Sequence, residues 1–202
     1  MPQPHHVIVI PGLGDSRKEL NFICSHWNWS NHGLQIHIYP IGWHDIQEQD
    51  FQVKLLRLLR YISKSGIKGE RVSLIGVSAG GSAALNAFYR MKNDIHRVIN
   101  VCGRLRVGSS RGFRSFSSRT RSSSSFAQSV RMLEKHEGLF TKNDREKIMT
   151  IHAAFGDELV PKETVLVTGA KNISVPMIEH GLSIFTALTI FSMPIIEFIK
   201  EK

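Results

Sequence analysis

Val72-Ser73-Leu74-Ile75-Gly76-Val77-Ser78-Ala79-Gly80-Gly81 is the stretch that decides the fold. Val72 to Ile75 is a short apolar run of the kind that forms a buried strand, and Ala79 to Met91 has the composition of a helix. Between them Gly76-Val77-Ser78-Ala79-Gly80 fits the G-x-S-x-G pattern. A serine on so sharp a strand-to-helix turn takes a strained backbone that pushes its hydroxyl into the open at the end of the sheet. Small residues are required around it, because side chains there would strike the neighbouring strand and helix. The plain alternative is that Ser78 is only a small residue at a tight turn.

Outward from this point, short apolar runs alternate with longer helix-like stretches. That is the pattern of an α/β protein, a mostly parallel sheet of about six strands flanked by helices. Val7 to Ile10 is the first strand, closed by Pro11-Gly12-Leu13-Gly14. Asp15-Ser16 is placed to cap a helix running toward Trp29. Leu34 to Tyr39 is the second strand, stopped by Pro40. Asp45 to Ser63 reads as a helix with Leu55, Leu58, Leu59 and Ile62 on one face and Gly66 just past its end. Val72 to Ile75, Arg97 to Val101, Ile148 to Ala154 and Ile173 to Pro176 complete the strands. Leu182 to Lys200 is predicted as the last helix, broken at Pro194. It is apolar enough to raise a membrane anchor, but its interspersed polar residues make a buried helix the simpler expectation.

Length and composition fit one domain over residues 1–202, with 42% hydrophobic and 21% charged residues, as in a soluble globular protein. Met1 to His6 lacks the features of a secretory signal, His5-His6 reads as a frayed tail, and a cytoplasmic location is the expectation. Cys24 and Cys102 make no disulfide framework, and no His or Cys spacing suggests a metal. Net charge is +9, and the seven arginines between Arg104 and Arg131, a segment without acidic residues, leave about +2 for the rest of the chain. Residues 104–129 are rich in Ser, Arg, Gly and Phe without aliphatic periodicity, which predicts a mobile or partly ordered loop, recovering helical character over Gln128 to Glu137. A single basic segment points to one loop's role rather than to a general nucleic-acid binder.

Ser78 needs a base, and the base needs an orienting carboxylate. The fifth strand runs into Gly156-Asp157-Glu158-Leu159-Val160-Pro161, and the sixth is followed by Glu179-His180-Gly181, so an Asp and a His emerge at the same sheet edge as Ser78. Glu158 and Glu179 are rivals to Asp157 as the acid, and His44 and His152 are rivals to His180 as the base. His152 lies inside a strand, where a satisfied core histidine is the ordinary case. His44 and Trp43 sit on the loop after the second strand, placed to line a pocket with Gly12, and Trp27 and Trp29 offer an aromatic wall or plain core packing.

Pro11-Gly12-Leu13-Gly14, the elbow at Gly76 to Gly80, Asp157-x-x-Val160-Pro161 and His180, in this order, give the chain a resemblance to a small α/β-hydrolase over nearly its whole length. The resemblance implies a compact version of the fold that starts at the family's third strand. It implies no cofactor, and hydrolysis of a small-molecule carboxylic ester or thioester through an acyl-enzyme on Ser78. His180 would be the base, Asp157 its orienting acid, and the backbone amides of Leu13 and Ala79 the oxyanion hole. His-Gly is frequent in the family where this chain has Pro11-Gly12, which leaves Gly12 as the alternative to Leu13. The arginine-rich segment at 104–131 falls where the family carries a lid, and it suggests contact with an anionic surface. Two other function classes stay open: a non-catalytic binding protein on this fold, and a membrane- or nucleic-acid-associated protein acting through the basic segment. No dedicated protein or nucleic-acid partner is evident.

Overall fold

A computed structural model describes residues 4–15, 17–27, 29–45, 47, 50–65 and 70–201. Among the described residues six strands form one sheet: β1 His5–Ile10, β2 Leu34–Ile38, β3 Arg71–Val77, β4 Ile95–Val101, β5 Ile148–Ala153 and β6 Lys171–Val175. All neighbours run parallel, in the spatial order β2-β1-β3-β4-β5-β6. The chain steps outward from β1 to β2, then crosses back to lay β3 on the other side of β1. Loops leaving β1 and β3 therefore emerge side by side, the place where open parallel sheets build their sites. The register pairs Ile10 with Gly76, which sets the Pro11–Gly14 turn directly against the Ser78 turn.

The helices are α1 Arg17–His26, α2 Phe51–Ser65, α3 Gly80–Arg90, α4 Phe116–Thr120, α5 Ser124–Glu137, α6 Lys142–Glu146, α7 His180–Leu188 and α8 Ser192–Lys200. They cover both faces of the sheet. Ile8, Ile10 and Leu74 join the core beneath α2, α3 and α5, whereas Val7, Val9, Ile75 and Ile99 join the core beneath α1, α7 and α8. Near-continuous apolar strands follow from burial on both sides. Cys24 and Cys102 are free and buried.

Several expectations change. His5 and His6 are not a frayed tail: they belong to β1 and are buried, His5 Nε2 lying 2.8 Å from Ser73 Oγ and His6 Nε2 2.8 Å from Glu70 Oε2. Strand pairing to β2 and β3 gives these backbone groups partners that a tail would lack. The second helix starts at Phe51 rather than Asp45, where Asp50 Oδ1 accepts the Gln52 amide at 2.8 Å. Ser16 and Gly66, expected at helix ends, lie outside the described residues. Asp15, expected to cap α1, uses its carboxylate to accept the amides of Ile41 at 3.1 Å and Trp43 at 2.9 Å, tying the β1 and β2 loops together.

The C-terminal helix is two helices, and the break is not at Pro194. The chain turns at Thr189–Phe191, with α7 and α8 bent by 53°, and Pro194 sits in the first turn of α8, where a missing N–H costs nothing. The Trp29 indole donates to the Leu188 carbonyl at 2.9 Å, satisfying an acceptor that the end of α7 exposes. Among the described residues no single helix is long and apolar enough to cross a membrane; the bent pair α7–α8 has the length and composition only when taken together.

The arginine-rich segment is the largest correction. It is not a mobile loop: residues 116–120 and 124–137 are helical, and Phe116 and Phe126 are buried in the core. Its serines carry the structure. Ser115 and Ser123 cap α4 and α5 by accepting the Ser118 and Phe126 amides at 3.2 Å. The Ser123 hydroxyl donates to the Trp43 carbonyl at 2.7 Å, Ser82 and Ser129 lie 2.6 Å apart, and Asn86 Nδ2 donates to the Ser129 carbonyl at 2.8 Å. Capping and buried hydroxyl contacts do here what aliphatic periodicity does elsewhere. Two arginines also turn inward: Arg104 donates to the Arg114 carbonyl at 2.7 Å, and Arg106 binds Glu137.

Candidate active site

Ser78 occupies the turn between β3 and α3 with φ at 51°, in the left-handed region that a serine rarely takes. The turn is pinned on both sides: the Ser78 amide donates to the Val101 carbonyl at 2.9 Å, and its carbonyl accepts the Gly81 amide at 3.0 Å. Crowding explains the small residues. A Cβ on Gly80 would run into the Ile10 carbonyl, and one on Gly76 into the backbone of Gly80 and Gly81. Asn100 fills the space behind, donating from Nδ2 to the Gly103 carbonyl at 2.9 Å.

The structure brings Ser78, His180 and Asp157 together. His180 Nε2 lies 2.9 Å from Ser78 Oγ, and His180 Nδ1 lies 2.7 Å from Asp157 Oδ2. The other Asp157 oxygen, Oδ1, accepts the amides of Leu159 and Val160, each at 2.8 Å. Burial alone would push the Asp157 carboxyl up. The His180 hydrogen bond, the His180 charge and the two amides outweigh burial and hold it below the ordinary carboxylate value. The fixed carboxylate in turn favours the His180 tautomer with its proton on Nδ1, leaving Nε2 free to accept from the serine hydroxyl.

The rival residues have other partners. Glu158 Oε2 accepts the His180 backbone amide at 2.9 Å, and Glu179 caps α7 by accepting the Gly181 and Leu182 amides at 2.8 and 2.6 Å. His152 is buried on β5 but is not a satisfied core histidine, because its Nδ1 has no partner among the described residues. His44 is exposed and engages the Ser122 carbonyl at 3.0 Å through Nδ1, away from the cavity at Ser78. Trp43 does not line that cavity either. It is a core residue, 2% exposed, its indole donating to the Pro11 carbonyl at 3.1 Å and its ring stacked on Phe51. Its apolar bulk is best hidden between the β2 loop and α5, so it supports the Pro11 turn from behind. Trp27 packs edge-on to Phe185.

Beside Ser78 opens a cavity of about 510 Å³. Gly12, Leu13 and Ala79 line it at the serine, and a Cβ on Gly12 would sit 3.0 Å from that of Ser78. The close approach of the two turns sets Leu13 and Ala79 on the same cavity beside Ser78, and neither backbone amide has an acceptor among the described residues. Leu20, Ile23, Val160, Ile184 and Phe185 form an apolar wall, while Arg104, Arg119 and Phe126 close the side formed by the arginine-rich segment. The sequence offered no signal for Ile184 and Phe185 beyond helix periodicity, and Arg104 and Arg119 were hidden in a segment that reads as low complexity. Among the described residues no group of three or more His, Cys, Asp or Glu side chains is placed to hold a metal ion.

No family model matches the chain, and no curated protein shows detectable sequence similarity to it. Solved structures do resemble it in fold. A metagenome-derived lipolytic enzyme superposes with a TM-score of 0.67 at 11% identity, over 99% of this chain and 95% of its own. The monoacylglycerol lipase of Paleococcus ferrophilus gives 0.66 at 14% identity, over 98% and 95%. Est1E from Butyrivibrio proteoclasticus gives 0.63 at 14% identity, over 98% and 87%. The chain thus has the α/β-hydrolase fold, as the order of its motifs leads one to expect.

Proposed function

We propose that this protein is a serine hydrolase that cleaves carboxylic esters or thioesters through an acyl-enzyme on Ser78. The observation that carries this reading is the continuous hydrogen-bonded chain Ser78–His180–Asp157 at 2.9 and 2.7 Å, opening on a cavity with an apolar wall. A binding protein that merely retained these residue types has no need to hold all three in register at the end of a strained turn.

In the first half-reaction Ser78 Oγ attacks the acyl carbon as His180 Nε2 takes its proton. Asp157 keeps the ring oriented and stabilises the imidazolium that forms. The oxyanion is met by the amides of Ala79 and Leu13, each such donor contributing roughly a hundredfold to a thousandfold in rate. The ester C–O bond then breaks, and His180 returns the proton to the leaving alcohol. Water attacks the acyl-enzyme by the same route in reverse and releases the acid. The apolar wall from Leu20 to Phe185 receives the acyl chain.

The test is hydrolysis of 4-nitrophenyl esters of increasing acyl length. Turnover by the wild type that falls at least about a thousandfold in Ser78→Ala, with an initial burst equal to the enzyme concentration, supports the reading. Equal rates for wild type and Ser78→Ala would overturn it.

A further inference from the structure

Arg104 is a cation in an unusual place. It is 1% exposed and lines the Ser78 cavity, yet no carboxylate stands within ion-pair reach of it among the described residues. Its terminal nitrogens donate to the carbonyls of Val107 and Arg114, and Nε is left without a partner. A guanidinium so buried is costly unless an anion meets it. Arg119 lines the same cavity from α4, half-buried and held over the Phe113 ring at 4.7 Å, and it too has no acidic partner among the described residues.

The nearby carboxylates do not fill this role. The Asp157 oxygens are taken by His180, Leu159 and Val160. Glu19 faces the cavity from α1 and is exposed to solvent, and Glu163 accepts from Ser110 outside it. Burial pushes the Arg104 guanidinium below its ordinary value; the charge of Glu163 opposes this, and those of Arg119 and Arg114 add to it. Among the described residues neither arginine is ion-paired, and the cavity they line has an apolar opposite wall.

We propose that the cavity selects acyl groups that end in a carboxylate, so that the favoured substrates are half-esters of dicarboxylic acids, with Arg119 and Arg104 as the specificity-determining residues. This rests on the hydrolase reading above. The methylene chain lies against Ile184 and Phe185, the ester carbonyl meets Ser78, and the distal carboxylate meets the guanidinium groups. Arginine suits this role because its planar fork binds a carboxylate through two hydrogen bonds.

The experiment compares mono-4-nitrophenyl succinate, glutarate and adipate with neutral 4-nitrophenyl esters of equal acyl length, after subtraction of spontaneous hydrolysis. At least one half-ester is expected to exceed its neutral counterpart roughly tenfold or more in kcat/KM. The preference should shrink with added salt, vanish in Arg119→Gln and return in part in Arg119→Lys. Because Arg104 ties two loop carbonyls and its loss can unfold the segment, Arg119 is the variant that decides. A wild type without preference, or a preference that survives in Arg119→Gln, overturns the proposal while leaving ester hydrolysis intact. If no ester is turned over, the hydrolase reading fails, and calorimetric titration of Ser78→Ala with glutaric acid monoamide against pentanamide decides the binding claim. Roughly tenfold tighter binding of the monoamide, lost in Ser78→Ala/Arg119→Gln, supports it, and equal binding overturns it.

Discussion

The backbone amide of His180 donates to Glu158 Oε2 at 2.9 Å while its ring Nδ1 meets Asp157 Oδ2 at 2.7 Å, so two adjacent carboxylates fix one histidine from two sides. Their roles separate by substitution. Asp157→Asn presents a donor to Nδ1 and favours the wrong tautomer, so kcat should fall by about a thousandfold or more. Glu158→Gln keeps an acceptor for the amide and should cost less than about tenfold. Steady-state kinetics on one ester checks both, and a larger loss for Glu158→Gln would reverse the assignment.

The glycines around the elbow should divide just as clearly. A methyl on Gly80 would meet the Ile10 and Pro11 backbone, which cannot yield without moving β1. Gly80→Ala is expected to destabilise by at least about 2 kcal/mol in urea unfolding. Gly138, at the end of α5, has open space for a methyl and a helical φ of −63°, so Gly138→Ala should leave stability within about 0.5 kcal/mol or raise it slightly.

At the opposite end of the sheet, burial first, then the charges of His96, Arg71 and His6, push His5 down to about 4. Its unfolded value is about 6.5, so the unfolded chain binds the extra proton between these limits. The stability due to neutral His5 is whole above pH 6.5 and is lost as pH falls toward 4. Urea midpoints should drop across this window in the wild type and drop less steeply in His5→Gln. Parallel slopes for the two proteins would contradict the burial argument.

Ile184 and Phe185 should set acyl-length preference. Ile184→Ala removes apolar surface from the wall and should raise KM for longer neutral esters several-fold, with kcat for the shortest ester little changed. A uniform loss at every length would mean that the chain lies elsewhere.

Much of this architecture is legible in the sequence, for physical reasons. Parallel strands buried on both faces must be apolar, so β1, β3, β4 and β5 announce themselves. The elbow is legible because sterics around Ser78 leave no choice but glycine and alanine. Asp157 is legible from the Asp157-x-x-Val160-Pro161 spacing together with chain order, and His180 from chain order, since a lone His before a helix carries little signal of its own. The arginine-rich segment is opaque because, besides the local caps Ser115 and Ser123, its order comes from non-local contacts: hydroxyls of Ser123 and Ser129 with the Trp43 carbonyl and Ser82, and the Ser129 carbonyl with Asn86. Trp43 and His44 mislead for a related reason: they sit on the right loop, but α5 covers the first and the Ser122 carbonyl holds the second.

The central claim is that Ser78 is an activated nucleophile. Labelling the folded protein with a fluorophosphonate and mapping the adduct by peptide mass tests it most directly. The geometry predicts one phosphonyl group on Ser78, absent from Ser78→Ala and reduced at least about a hundredfold in rate in His180→Ala. A folded wild type that takes no label at Ser78, or labels as fast without His180, would contradict it.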